Sequence, residues 1–413
     1  MIYANFNKGS NEAAGNAKTY ADKGFLRLED WKAEDKEPIF YYDRHDLHIN
    51  QLAFKDFLTE DQWKTYNSNP KSKILINYAD DFFTIKDLEA IVRAIKTYQI
   101  RTDGIITINM DEQVAKWVSE RLKIWGLVDV KCLHFNQLLK NVTPPTISIP
   151  PTHKFSILSR NYYDWRLQFY LELLKRGILD DSIYSFHNIK PYNPEDEKIV
   201  SLKQVHLDAF QMGFHGEKVK EWLEGIPYDI GASDQKWANV TTNCIQSSDI
   251  HLIVESHFDP FLEFIYNRER EFYPDSNEFA PSFITEKTWK GISCRKPFIM
   301  YSTPQHLERL KILGYKTFSP YIDESYDLIE DNKERFDAII EEIDRINKLP
   351  QQEFIDLIVN VQPIINHNFK VLIEGITENS AFESEPLLKD ILPLVDKQMD
   401  FGILGIDNYK HWL

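Results

Sequence analysis

The 413-residue chain lacks the glycine patterns of the common nucleotide folds. No Gly-x-Gly-x-x-Gly follows a predicted strand, and no Gly-x-x-x-x-Gly-Lys-Ser/Thr occurs anywhere, which argues against an ordinary dehydrogenase or P-loop kinase. Cysteine is scarce. Cys132, Cys244 and Cys294 lie far apart, with no Cys-x-x-Cys or His/Cys spacing. That pattern fits a reducing compartment and no structural zinc. Positive charge is in deficit, with 48 Lys and Arg against 64 Asp and Glu, a formal net charge of −16. Such a balance disfavours a broad nucleic-acid or anionic-membrane surface. No apolar run approaches a transmembrane span. Met1–Phe6 has no basic flank and is too short for a signal peptide. A soluble, cytoplasmic, acidic protein is expected.

What is present is apolar and aromatic. At 43% hydrophobic and 13% aromatic residues, the chain can bury large cores in two or three domains. Met1–Phe6 reads as a short strand. The polar Asn7–Asn16 that follows, with Gly9 and Gly15, is a surface loop or a ligand-approaching loop. Ile39–Asn50 clusters Asp43, Arg44, His45, Asp46 and His48. His-x-x-His alone is weak evidence for metal, and a solvated loop or acceptor contacts fit it better. From Lys73 an α/β pattern sets in. Lys73–Tyr78 is a buried strand ending in Ala79-Asp80-Asp81. The next helix places Leu88, Ile91, Val92, Ile95 and Tyr98 on one face. Gly104–Asn109 is a second strand, ending in Met110-Asp111-Glu112. A helix with Val114, Trp117, Val118, Leu122 and Trp125 on one face stops at Gly126, and Val128–Phe135 is a third strand. Strand–helix alternation with short connections predicts a parallel sheet with right-handed crossovers. Ligands bind outside the carboxyl ends of such strands, the edge to which Asp80, Asp81, Asp111 and Glu112 belong.

Thr143–Thr152 holds four prolines in ten residues and reads as an extended linker. The expected organisation is a Rossmann-like domain over 1–142, this linker over 143–152, a second domain over 153–375 and a helical tail over 376–413. The second half repeats the α/β grammar without repeating sequence. Lys154–Ser159 is a strand. Arg160–Trp165 is a loop into a helix with Leu167, Tyr170, Leu171 and Leu174 inward and Gly177 as its stop. Ser182–Phe186 is a short strand, and Lys190–Val240 has no clear period. Ser248–Glu255 is a strand ending on an acid. His257–Pro281 is a charged, aromatic insertion expected to be a mobile loop. Thr285 caps a helix that opens on Glu286 and Lys287 and contains Trp289 and Ile292. Pro297–Tyr301 is a strand. Thr303-Pro304 reads as an N-cap with proline at the first helical position, Leu307 and Leu310 face inward, and Gly314 closes that helix. Tyr315–Phe318 reads as an edge strand. Two amphipathic helices follow, one with Phe336, Ile339, Ile340, Ile343 and Ile346, the other with Phe354, Leu357, Ile358 and Val361, broken at Pro363. The tail from Glu383 is predicted helical.

Three pieces of the second half meet at strand ends: Arg160 and Arg166, Glu255, and Glu286-Lys287. Cations at a helix N-terminus suit a diphosphate, which needs both charge neutralisation and backbone donors. A neighbouring carboxylate suits a ribose diol, since it accepts two hydroxyl hydrogens. Solvated helix ends with ordinary dipole complementation would carry the same residue types.

The run Ser159-Arg-Asn-Tyr-Tyr-Asp-Trp-Arg166 with Leu-Gln-Phe-Tyr-Leu-Glu-Leu173 resembles the strand, Ser-Asn turn and arginine helix of the α-1,3-fucosyltransferase family. Ile250-His-Leu-Ile-Val-Glu-Ser256, then Phe283-Ile-Thr-Glu-Lys287 and Pro297-Phe-Ile299, is similar to that family's donor-site signature. Thr-Glu-Lys is its most specific piece, and the resemblance covers roughly 155–327. It implies a GT-B fold: two Rossmann-like parallel-sheet domains facing a cleft, with C-terminal helices. It further implies a nucleoside-diphosphate sugar donor, GDP-fucose in that family, and transfer with inversion. On matching positions Arg166 and Lys287 contact the pyrophosphate and Glu286 the ribose. Glu255 supports the site, and Arg160, Ser256, Phe283 and Thr285 complete the donor-binding set. Ser256 stands where the family usually has Asn, Phe283 where it often has Tyr, and the 257–281 insertion is longer than expected. The implied general base is a first-domain carboxylate. Asp80 and Asp81 are favoured because they follow the strongest strand, with Asp111 and Glu112 next and His45 or Asp46 after them; helix N-capping is the ordinary role of such an Asp. No Asp-x-Asp stands at a strand end, so neither a metal nor another cofactor is expected. A glycan, a lipid-linked sugar, a protein or a nucleic-acid base would serve as acceptor, and no membrane span is expected. The alternative is a non-catalytic nucleotide-sugar- or glycan-binding protein that retains the fold.

Overall fold

The computed structural model describes residues 2–4, 26–32, 34–43, 54–78, 85–109, 112–134, 150–189, 199–228, 237–255, 258 and 284–377. Those up to 134 belong to one compact unit and those from 150 to 377 to another. Each unit is α/β and is built on a Rossmann-like parallel sheet.

In the first unit the strands are β1 (Ile2–Ala4), β2 (Leu26–Arg27), β3 (Ile39–Asp43), β4 (Lys73–Tyr78), β5 (Ile105–Asn109) and β6 (Lys131–His134), paired in the order β2-β1-β3-β4-β5-β6. The helices are α1 (Glu60–Ser68), α2 (Ile85–Tyr98) and α3 (Glu112–Ile124). β3 was hidden in the sequence by the charges that follow it. Its Phe40, Tyr41 and Tyr42 are at most 1% exposed, because β3 lies between β1 and β4 and a parallel strand covered on both faces needs no alternation. The third predicted strand starts only at Lys131, with Val128 out in solvent. On α2, Leu88, Ile91, Val92 and Ile95 are buried as expected. Tyr98 is not: it closes the last turn and is 54% exposed.

In the second unit β7 (His153–Asn161), β8 (Ser182–Ile189), β9 (Ser248–Val254) and β10 (Phe298–Tyr301) pair in the order β10-β9-β7-β8. α4 (Asp164–Lys175) follows β7 and ends before Gly177 at φ 73°. The described part of the stretch read as aperiodic carries α5 (Leu202–Gln211), α6 (Glu217–Glu224) and the start of α7 (Trp237–Gln246). α8 (Glu286–Ser293) crosses β9 closely. A Cβ on Gly291 would sit 3.0 Å from Ile253 Cδ1 and 3.3 Å from His251 Cδ2. After β10 come α9 (His306–Ile312), α10 (Asn332–Asn347), α11 (Gln351–Asn360) and α12 (Gln362–Thr377). Phe336, Ile339, Ile340, Ile343 and Ile346 of α10 are all buried. Pro363 stands in the first turn of α12, where a missing N–H costs no helical bond.

Two local expectations fail for a shared reason. Thr303-Pro304 does not open α9. That helix begins at His306 after Gln305 in the left-handed conformation, and the Asp327 carboxylate accepts from the Leu307 and Glu308 amides at 2.9 and 3.1 Å. Tyr315–Phe318 is not a strand. The Asn368 side-chain amide pairs both the N–H and the C=O of Lys316 at 2.7 Å, and Glu324 accepts from the Phe318 amide. In both places side chains remote in sequence replace the local cap or the neighbouring strand.

Candidate functional site

The order β8-β7-β9 defines a switch point. β7 comes first in the chain, β8 joins one side of it and β9 the other, so the connections beyond β7 and β9 diverge. Open parallel sheets bind ligands in the crevice at that position, outside the carboxyl ends. Here the flanking residues are Ser159–Asn161 at the end of β7 and Glu255 directly after β9.

Arg166 bridges the crevice. It lies in the first turn of α4 and is 2% exposed. Its Nη2 donates to the Glu255 carbonyl at 2.9 Å and its Nη1 to Ser159 Oγ at 3.4 Å. The guanidinium stands 4.9 Å from the Tyr163 ring centre and 4.8 Å from that of Trp165. Burial lowers its pKa, while Tyr163, Tyr170 and the carboxylates of Glu255 and Glu286 oppose that shift. An arginine keeps its charge under these pressures, so a fixed positive charge lies beneath the site.

The Glu255 carboxylate, also buried, organises the start of α8. Oε1 accepts from the Thr285 amide at 3.2 Å and from Thr288 Oγ1 at 2.5 Å, and Oε2 accepts from Thr285 Oγ1 at 2.5 Å. Thr285 in turn caps the helix, its Oγ1 accepting from the Lys287 amide at 3.3 Å. Lys287 Nζ lies 3.2 Å from both Glu286 Oε1 and Thr285 Oγ1. The Lys287 and Glu286 side chains retain 23% and 28% exposure. Burial pushes the Glu286 pKa up, but Lys287 and Lys290 outweigh it and hold the carboxyl below its usual range. Lys290 is itself buried, and that burial brings its pKa down to about 8, against the pull of Glu286. The result is a partly open, charged helix start, seated on a buried acid and a buried arginine. It can hold an anion through Lys287 and the positive end of the helix dipole, and hydroxyls through Glu286.

Arg166, Glu255, Thr285, Glu286 and Lys287 are thus brought to one crevice. Arg160 is the penultimate residue of β7. Ser256, Phe283, Asp80, Asp81 and Asp111 lie outside the described residues, as do His45, Asp46 and His48, the Asn7–Asn16 loop, the 257–281 insertion apart from Phe258, and the tail. Glu112 is the first residue of α3 and is exposed. Among the described residues no group of three His, Cys, Asp or Glu could hold a metal ion, and no helix is long and apolar enough to cross a membrane.

Two participants were missed. Thr288 and Lys290 follow Thr285 and Glu286 at helical spacings of three and four, a signal present in Thr-Glu-Lys-Thr-Trp-Lys. His306 had no local signal. It is fully buried at the start of α9, and neither ring nitrogen has a hydrogen-bond partner among the described residues. An unmade buried hydrogen bond costs about 1–3 kcal/mol. Burial drives its pKa down to about 4, with Glu255 opposing and Arg309 adding to the shift.

His251 on β9 behaves alike. Its Nδ1 lies 2.9 Å from Ser156 Oγ, and burial lowers its pKa to about 4. For both histidines the unfolded chain takes up the proton first as pH falls. Their contribution to stability is complete above about pH 6.5 and is lost between there and about pH 4. Each histidine should cost about 2 kcal/mol at pH 5. Buried acids with raised pKa, such as Asp249 and Asp327, act in the opposite sense. The test is therefore the difference between parent and variant in urea unfolding at about pH 7.5 and 5. His251→Gln and His306→Leu should each flatten the acid loss by that amount, and parallel curves would refute it.

No family model matches this chain, and no curated protein does. Some solved structures are similar to it. The UDP-forming α,α-trehalose-phosphate synthase from Burkholderia vietnamiensis is 11% identical, with 94% of this chain and 81% of that one covered and a TM-score of 0.44. The α,α-trehalose 6-phosphate synthase from Burkholderia multivorans is 8% identical, with 94% and 76% covered and a TM-score of 0.46. The DNA-modifying β-glucosyltransferase is 12% identical, with 95% and 99% covered and a TM-score of 0.38. At such identities and scores none assigns a role to a residue here.

Proposed function

We propose that the protein is a glycosyltransferase that moves a sugar from a nucleoside-diphosphate sugar to an acceptor hydroxyl. The observation that carries this reading is the crevice between β7 and β9, where Arg166 and Glu255 seat a helix start bearing Glu286 and Lys287. In glycosyl transfer the departing nucleoside diphosphate gains negative charge. A lysine, the positive end of a helix and a buried arginine, all fixed in advance, stabilise that charge more in the transition state than in the ground state. Lys287 and the positive end of α8 take the diphosphate, Arg166 adds its charge, and Glu286 takes the ribose diol. The resemblance of the 155–327 region to α-1,3-fucosyltransferases makes a GDP-fucose-like donor and inversion the finer form of the proposal. The general base is then sought among Asp80, Asp81 and Asp111, which follow β4 and β5. No metal or other cofactor is part of the proposed chemistry.

A thermal-shift screen of the purified protein against GDP, UDP, ADP and CDP, each with and without its sugars, tests this. Ligand at a hundred times its Kd adds about 2.7 kcal/mol to the folded state, which raises the melting temperature of a domain of this size by several degrees. Selective stabilisation by one nucleotide family is expected. If none of them moves the melting curve, the reading falls. Stabilisation without donor hydrolysis or transfer would identify a binding protein that retains the fold.

A further inference from the structure

We infer that His306 pairs with a ring hydroxyl of the ligand, on its ribose or its transferred sugar, and so reads the uncharged part of the molecule bound at the β7–β9 crevice. The inference rests on the nucleotide-sugar reading above. Buried polar side chains in native proteins are nearly always hydrogen-bonded, and an exception needs a reason. His306 is such an exception, with 0% exposure and two ring nitrogens that have no partner among the described residues. It follows β10 at the carboxyl edge of the sheet, within the field of the Glu255 carboxylate and of Arg309. The Asp327 carboxylate that caps α9 engages the amides of Leu307 and Glu308 rather than the ring.

The chemistry selects the partner. A neutral imidazole offers one donor and one acceptor, and a hydroxyl matches both, whereas a phosphate oxygen only accepts. The Glu255 charge acts on the ring and disfavours a phosphate against it. Charge therefore sorts the ligand, with the diphosphate at Lys287 and the hydroxyls toward Glu286 and His306. Packing does not explain the histidine, because leucine fills a similar volume without a polar edge to satisfy. Because His306 has no accessible surface here, the contact requires its surroundings to rearrange.

The test uses the full chain, its His306→Leu and His306→Gln variants, and Lys287→Ala as a control. Probes are inorganic pyrophosphate, GDP and GDP-fucose, with UDP and UDP-glucose in parallel. His306→Leu should raise the melting temperature by about 2–4 °C and leave pyrophosphate affinity unchanged. It should weaken the sugar-bearing ligand about tenfold. Loss already present with the nucleoside diphosphate assigns the ribose, and loss only with the nucleotide sugar assigns the transferred sugar. His306→Gln, which keeps a donor and an acceptor, should retain most of the affinity. In nitrogen-15-histidine-labelled parent protein, the His306 ring signals should move with the nucleotide and not with pyrophosphate. A leucine variant that melts lower or fails to fold, together with ring signals indifferent to nucleotide, overturns the inference. So does an equal loss of pyrophosphate and nucleotide. If the parent binds no probe, or Lys287→Ala binds all of them as the parent does, the nucleotide-sugar reading fails first. If Lys287→Ala loses the probes while both His306 variants bind like the parent, the His306 inference fails alone.

Discussion

Glu255→Ala should lose about 3–5 kcal/mol of stability and all ligand binding together. Three buried donors rely on this carboxylate: the Thr285 amide, the Thr285 hydroxyl and the Thr288 hydroxyl. Removing their shared acceptor leaves them with full desolvation costs. It also strips a compensating negative charge from the surroundings of buried Arg166. The Arg166 bond to residue 255 survives, because its acceptor is the backbone carbonyl. The damage is therefore directed at the start of α8. Amide exchange should accelerate at Thr285–Lys290 while the α4 amides change less. Glu255→Gln should be milder, since threonine hydroxyls can rotate to accept from the new amide. An alanine variant with the parent's urea midpoint and the parent's exchange pattern would remove Glu255 from its organising role.

Lys287→Ala should do the reverse, with the fold kept and the ligand lost. The side chain is partly exposed and lies on the rim of the helix start, so the melting temperature should stay within a degree or so of the parent's. A charge-assisted bond to phosphate is worth about 1.5–3 kcal/mol, which predicts a loss of roughly 10- to 150-fold in nucleoside-diphosphate affinity. Transfer should suffer more than binding, because the leaving diphosphate carries more charge in the transition state than in the ground state. Titration calorimetry with the nucleotide found in the screen, followed by single-turnover rates, gives both quantities. Unchanged affinity and unchanged turnover would move the phosphate site away from α8. The contrast between the two variants is the informative result. Two residues within one hydrogen-bonded cluster should separate cleanly, the buried one governing folding and the half-buried one governing ligand.

Much of this framework is local and therefore readable. The apolar runs of β4, β5, β7 and β9, the threonine before Glu286, and the left-handed glycines after α3, α4 and α9 all act within a few residues of themselves. The unreadable parts depend on partners far along the chain. Asp327 caps a helix some twenty residues upstream, and Asn368 substitutes for a strand beside Lys316. β3 was obscured because its buried aromatic run leads straight into charged residues. His306 was invisible because what sets it apart is the burial of its ring without a hydrogen bond, which no local pattern shows. The crevice itself follows from strand order, which no local pattern encodes. Convergence of Arg166, Glu255 and α8 was expected from their places at strand ends, and the sheet order gives its reason.

The placement of β7 at the centre of its sheet also imposes a timetable on synthesis. The bond from Arg166 of α4 reaches a carbonyl 89 residues further on, and the second neighbouring strand of β7 is β9. A nascent chain that has not yet delivered β9 has β7 paired on one side at most, with the other edge open to other strands. It contains no crevice for any ligand to protect. Only when β9 has been added beside β7, and α8 laid across it, can small molecules begin to favour the finished molecule over its precursors. Until then the growing chain depends on its own early helices, or on chaperones, to cover that edge.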